Sequence, residues 1–196
     1  MIATDHCSLI TFHHAAGVLA HLVQTGFGGF YDGMAHWAAT PEDVMVVGAL
    51  ALLAALGGKD RVRSLVVTLP LAWFAGGALA LVIPLLVPGQ VMTIVSFGLT
   101  GLLVALDRRL PVPLYQALII AAAAIHGVGN GGAMREAGLG WLGLTGASVS
   151  VFIITSLLPA LLVRIEKPAG RIAMRVGGSW LAAAALLMIG WWLRAG

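Results

Sequence analysis

The chain has 196 residues, of which 60% are hydrophobic and only 10% are charged, whereas a soluble globular domain carries about 25% charged residues. Together with a mean hydropathy of +0.98, this excludes an ordinary water-soluble domain and predicts an all-α, polytopic transmembrane helix bundle. The formal net charge of +3 comes from Lys and Arg residues scattered over short connections, so it does not indicate nucleic-acid binding.

Apolar stretches separated by charges, prolines or glycines predict six clear membrane spans, near residues 43–57, 64–87, 91–106, 112–129, 138–163 and 172–193. A weaker stretch over residues 8–27 contains His13, His14 and His21 and predicts an additional N-terminal membrane helix. No linker or repeat divides the chain. We therefore expect residues 1–196 to form a single integral-membrane domain.

The basic residues and the glycines add two expectations. The basic connections 59–63, 107–109 and 164–175 fall on one side of the predicted bundle, and the positive-inside rule makes that side cytoplasmic. The connections 28–42, 85–90 and 130–137 contain almost no basic residues and are expected at the outer face. The patterns Gly29-x-x-x-Gly33 and Gly127-x-x-x-Gly131 place small residues one turn apart, which favours close helix packing.

Five tryptophans near the span ends predict an interfacial belt: Trp37, Trp141, Trp180, Trp191 and Trp192.

Histidines and carboxylates are concentrated near the N-terminal end of the chain. Five of the six histidines fall within the first 36 residues, and Asp32 lies four residues before His36, so a helix would place both side chains on one face. Ionisable groups at membrane depth cost about 2.5–3.5 kcal/mol and usually line a cavity. Imidazole together with carboxylate predicts a divalent transition-metal site. Alternatively, each histidine hydrogen-bonds a carbonyl or hydroxyl group within the bundle.

Residues 40–43 read Thr-Pro-Glu-Asp and predict the start of a helix. Thr40 can cap it, Pro41 suits the first helical position, and Glu42 and Asp43 complement the helix dipole. Capping therefore explains the two carboxylates without a ligand, and metal binding by them remains the alternative.

Several kinds of chemistry are excluded by missing sequence features. The single cysteine, Cys7, permits no intramolecular disulfide, multi-cysteine zinc site or iron–sulfur cluster. The sequence has no H-E-x-x-H, G-x-S-x-G, Walker or dinucleotide-binding motif. We predict no catalytic residues, no enzyme activity and no permanently bound cofactor. An intramembrane metal-dependent hydrolase, which needs three protein ligands and a bound water, is the least favoured alternative.

Two blocks of the chain resemble the HupE/UreJ family of hydrogenase- and urease-associated membrane proteins. The first, GFYDGMAHWAATPEDVM at residues 29–45, is similar to the family signature G-F-x-x-G-x-x-H-P-x-x-G-x-D-H-L-L-A-M. The second, IHGVGNG at residues 125–131, is similar to F-H-G-x-x-H-G-x-E. His36 and His126 match family histidines, whereas Asp43 and Asn130 stand where the family has further histidines. These replacements make the site richer in oxygen.

The resemblance implies a secondary permease of the bacterial inner membrane for a divalent metal ion, nickel first and cobalt second. The predicted ligands, near the outer face, are His36, Asp32, Glu42, Asp43, His126 and Asn130. The expected partners are lipid, the transported ion, and either copies of the chain or another membrane protein. The alternative function is a non-transporting membrane subunit or metalloenzyme assembly factor whose polar cluster is structural or binds a partner.

Overall fold

The computed structural model describes residues 24–86 and 88–195, and this part of the chain contains α-helices and no strand. The helices are α1 (Gly29–Ala39), α2 (Pro41–Gly57), α3 (Lys59–Val82), α4 (Gln90–Ala105), α5 (Val112–Glu136), α6 (Gly140–Leu162) and α7 (Pro168–Ala195). The predicted all-α class is confirmed for these residues. The expected N-terminal membrane helix over residues 8–27 lies outside the described residues, except for its last four, which are not helical.

Four of the described helices, α3, α5, α6 and α7, are long and apolar enough to cross a membrane. A fifth span results if α1 and α2 are taken together, although the pair is bent by 73°. Helix α4 has 16 residues, which is short for a bilayer that needs about 20. Helix length and composition thus support four or five spans, and the prediction of six spans is not confirmed.

Helix boundaries differ from the predicted spans where local backbone chemistry overrides hydropathy. Gly58 has φ 97°, a conformation that favours glycine, and α3 begins directly after it, within the basic connection. The same helix ends at Val82, because Ile83 precedes Pro84 and is extended. Residues 29–39, which were expected to lie in an outer connection, form α1 instead. Helix α5 continues through the expected connection at residues 130–137 as far as Glu136.

Helix α2 is the centre of the bundle. It contacts each of the other six helices, and its side chains Val46, Val47 and Leu50 are fully buried. A helix surrounded by protein needs no polar face. This packing explains why α2 is apolar although it is only 17 residues long.

Glycines allow two helix pairs to approach at backbone distance. A Cβ atom added at Gly127 or Gly131 of α5 would overlap the backbone of α3 at Trp73 or Gly77. A Cβ at Gly33 of α1 would likewise overlap the backbone of α6 at Gly143. The expectation that these small residues pack helices closely is confirmed.

The connections divide the bundle into two ends. The basic end contains the connections at residue 58, residues 106–111 and residues 163–167. Arg61 Nη2 donates to the Leu110 carbonyl at 2.7 Å, and Arg171 pairs with Asp107, so these connections lie side by side. The opposite end, which contains the α1–α2 bend and the C-terminal third of α5, is called the histidine end below.

Candidate metal site at the histidine end

Asp43 joins the two sequence blocks through hydrogen bonds. It lies in the first turn of α2 and is buried. Its Oδ1 atom is 2.7 Å from His126 Nδ1, and its Oδ2 atom accepts a hydrogen bond from Asn130 Nδ2 at 2.6 Å. His126 and Asn130 are one turn apart on α5, so their side chains share the face toward α2. The structure therefore brings together polar residues that are more than 80 positions apart.

The start of α2 explains how the Asp43 carboxylate becomes available to α5. Pro41 occupies the beginning of α2, as expected, but Thr40 makes no side-chain capping bond. Its hydroxyl donates instead to the His36 carbonyl at 2.9 Å. Thr40 is therefore the N-cap residue of α2, as predicted, but its side chain does not cap the helix. The carboxylate of Asp43 binds α5 rather than the amides of its own helix.

The other face of His126 is held by α4 and α3. Ser96 Oγ lies 2.8 Å from His126 Nε2, and the Trp73 ring stacks on the imidazole with centroids 5.6 Å apart. Both ring nitrogens are thus engaged, so a metal ion must displace one of these hydrogen-bond partners. Sequence reasoning assigned no role to Ser96 or Trp73. A serine within an apolar span was the only available signal for Ser96, and nothing marked Trp73.

The hydrogen bonds link Ser96, His126 and Asp43 in the same order as in a Ser-His-Asp catalytic triad. The surroundings, however, do not favour nucleophilic catalysis. The Ser96 hydroxyl donates to the Thr93 carbonyl at 2.7 Å. Ser96 lies within α4, where backbone amides are committed to the helix, and it does not line the pocket described next. Among the described residues, the arrangement therefore orients His126 rather than activating a hydroxyl group.

A pocket of about 210 Å³ opens beside this cluster. Its polar lining consists of His36, Thr40, Glu42, Asp43, Thr93, His126 and Asn130. Asn130 Oδ1 is buried and has no hydrogen-bond partner within residues 24–86 and 88–195. An unpaired buried acceptor is costly unless something occupies it. Asn130, in the pocket wall, therefore has an amide oxygen without a partner among these residues, next to carboxylate and imidazole groups that are almost fully buried.

Five of the six predicted ligands line this pocket, and Asp32 is the exception. Asp32 is on α1, and its Oδ1 atom accepts hydrogen bonds from the backbone N–H and hydroxyl groups of Thr25 at 2.7 and 2.6 Å. The structure therefore gives Asp32 a local partner and does not bring it into the pocket. In the described part of the chain, no three His, Cys, Asp or Glu side chains are grouped closely enough to hold a metal ion. His13, His14 and His21 lie outside this part.

The sequence comparison covers nearly the whole chain. The model of a family described as HupE / UreJ protein matches residues 9–189. No curated protein and no solved structure was found to match. The family match and the apolar helices identify an integral membrane protein. The matched region includes α1 to α6 and most of α7, together with the pocket, and the chain therefore belongs to the HupE/UreJ family.

Proposed function

We propose that the chain is a secondary permease for a divalent transition-metal ion, nickel first and cobalt second. The ion enters at the histidine end, is captured in the pocket at Asp43, and passes through the bundle without nucleotide hydrolysis. In this proposal the protein lies in the bacterial inner membrane and supplies metal for the maturation of hydrogenase or urease.

The observation that carries this proposal is the buried cluster of Asp43, His126 and Asn130 beside a pocket. Ionisable groups are rare inside membrane bundles because they are costly there, and they usually mark an ion pathway. The cluster supplies carboxylate oxygen, imidazole nitrogen and the Oδ1 atom of Asn130, which has no hydrogen-bond partner in the described part of the chain. Imidazole suits nickel as well as zinc and copper, and oxygen ligands favour harder ions. This mixed donor set fits a borderline divalent ion.

The hydrogen bonds within the cluster also suit transport rather than storage. A metal ion that binds His126 or Asp43 must replace hydrogen bonds of 2.6–2.8 Å. Their loss offsets part of the metal-binding energy. A transport site must bind its ion strongly enough to capture it and weakly enough to release it.

Nickel uptake into liposomes containing the purified protein and an internal nickel-sensitive dye tests the proposal. We expect saturable uptake by the wild type and a loss of at least about tenfold in His36→Ala and His126→Ala. Glu136→Gln is the matched control, because it removes an exposed carboxylate from α5 outside the pocket. Size-exclusion chromatography confirms that each variant is folded.

The possible outcomes distinguish a wrong site assignment from a wrong function. If both histidine variants take up nickel at the wild-type rate, the assigned site is refuted but the permease proposal is not. The permease proposal is refuted if the wild-type protein neither transports nor binds nickel. If it also co-purifies with another membrane protein, the result favours the alternative of a non-transporting subunit.

A further inference from the structure

A second polar pocket lies at the basic end, remote from the metal site. It is enclosed by the end of α2, the start of α3 and the connection between α4 and α5, and its volume is about 60 Å³. This exceeds the roughly 10–15 Å³ that one water molecule needs. Its cationic lining residues are Arg61, Arg108 and Arg109, and its apolar walls include Leu53, Leu56 and Tyr115.

Arg61 is held in place but has unused hydrogen-bonding capacity. Its Nη2 atom donates to the Leu110 carbonyl at 2.7 Å, and its guanidinium carbon lies 4.5 Å from the centre of the Tyr115 ring. The Tyr115 hydroxyl donates to the Arg61 carbonyl at 3.0 Å. The Nη1 atom, however, is buried and has no acceptor among the described residues. A fixed, desolvated guanidinium with a free N–H group is a strong donor to an anion.

The carboxylate in this pocket is already neutralised. Arg171 binds Asp107 through two hydrogen bonds, Nε to Oδ2 at 2.7 Å and Nη2 to Oδ1 at 2.6 Å. Within residues 24–86 and 88–195, no ion pair involves Arg61, Arg108 or Arg109. The pocket therefore has an excess of positive charge.

We propose that this pocket binds the phosphate group of an anionic ligand. A phosphate oxygen accepts a hydrogen bond from Arg61 Nη1, which has no acceptor among the described residues, and Arg108 and Arg109 neutralise the phosphate charge. Guanidinium groups match phosphate geometry and are weakly hydrated, so arginine is suited to this recognition. The phosphate can come from an anionic phospholipid or from free phosphate in solution. Basic pockets between transmembrane helices favour phospholipid headgroups.

Native mass spectrometry of the delipidated protein tests this proposal with phosphatidylglycerol, phosphatidylcholine and inorganic phosphate as separate probes. We expect one phosphatidylglycerol per chain, bound at least about tenfold more tightly than phosphatidylcholine. Arg61→Gln should weaken this binding by about tenfold. Arg63→Gln is the matched control, because Arg63 lies on the same helix, is exposed, and within the described part of the chain pairs only with Asp60.

Each outcome decides for or against the pocket. If inorganic phosphate binds in an Arg61-dependent way and phosphatidylglycerol does not, free phosphate is the ligand and the phosphate site stands. If Arg61→Gln does not fold, the double variant Arg108→Gln/Arg109→Gln decides, since both residues are exposed. Binding that is unchanged in the double variant and in a folded Arg61→Gln would overturn the proposal, as would an equal loss in Arg63→Gln. Nickel uptake is not a readout, so this test is independent of the permease proposal.

Discussion

Substitution of Gly127 by alanine should damage both the fold and the proposed metal site. Gly127 is where α5 touches α3, and a Cβ atom there would overlap the Trp73 carbonyl oxygen and lie 2.9 Å from the carbonyl carbon. Ordinary contacts of this kind begin at 3.4 Å. The colliding atoms belong to the backbone, so no side-chain rotation relieves the overlap. The two helices must separate by roughly 1 Å.

The expected cost is about 1–3 kcal/mol, the usual range for overpacking a close-packed interior. The separation also acts on the adjacent residue, because the His126 ring stacks on Trp73 and is bonded to Asp43 at 2.7 Å. A shift of this size lengthens at least one of these contacts. We therefore expect Gly127→Ala to lower nickel uptake as well as the free energy of unfolding.

Thermal unfolding in detergent, followed by size-exclusion chromatography, measures the stability of each variant. Gly132→Ala is the matched control: it lies on the same helix, and an added Cβ there has no neighbour within 4 Å among the described residues. The control should be neutral or slightly stabilising, because alanine favours a helix over glycine by about 0.5–1 kcal/mol. Equal unfolding temperatures for the two variants would refute the proposed close packing of α3 and α5.

The polar contacts predict a ranking of three further variants, measured by the same unfolding assay. Asp43→Ala removes the two buried hydrogen bonds of its carboxyl group, with His126 and Asn130, and should cost about 3–6 kcal/mol at about 1.5–3 kcal/mol each. Ser96→Ala removes the neutral partner of His126 Nε2 and should cost about 1–3 kcal/mol. Arg171→Gln breaks the ion pair with Asp107, in which the two side chains are 40% and 23% exposed, and should cost at most about 1 kcal/mol. A larger loss in Arg171→Gln than in Asp43→Ala would contradict this ranking.

Several properties of this chain followed from the sequence because they depend on local composition. Long apolar runs predicted helices, and most helix positions agree with the predicted spans to within a few residues. The residues with matches in the family blocks, His36 and His126, line one pocket in the structure. Both histidines lie next to glycine-containing segments, and these sequence patterns can be recognised without knowing the fold.

Other properties were decided only by tertiary packing. Asp32 and His36 are one turn apart on α1, yet Asp32 bonds Thr25 and only His36 lines the pocket. Trp37 was expected in an interfacial belt and is buried instead, whereas Trp180 is 74% exposed. Hydropathy records how apolar a residue is, and it does not record whether lipid or protein surrounds it.

The partners of His126 show the same limit. Ser96, Trp73 and Asp43 reach it from three helices that are separated along the chain. Their convergence depends on the glycines that bring α3 against α5 and on the 73° bend that places the start of α2 beside α5. Local sequence patterns specify each helix, but the contacts between helices arise from how all of their surfaces fit together. The sequence could therefore predict which polar residues are candidates for a site, and only the packed bundle determines which of them are in contact.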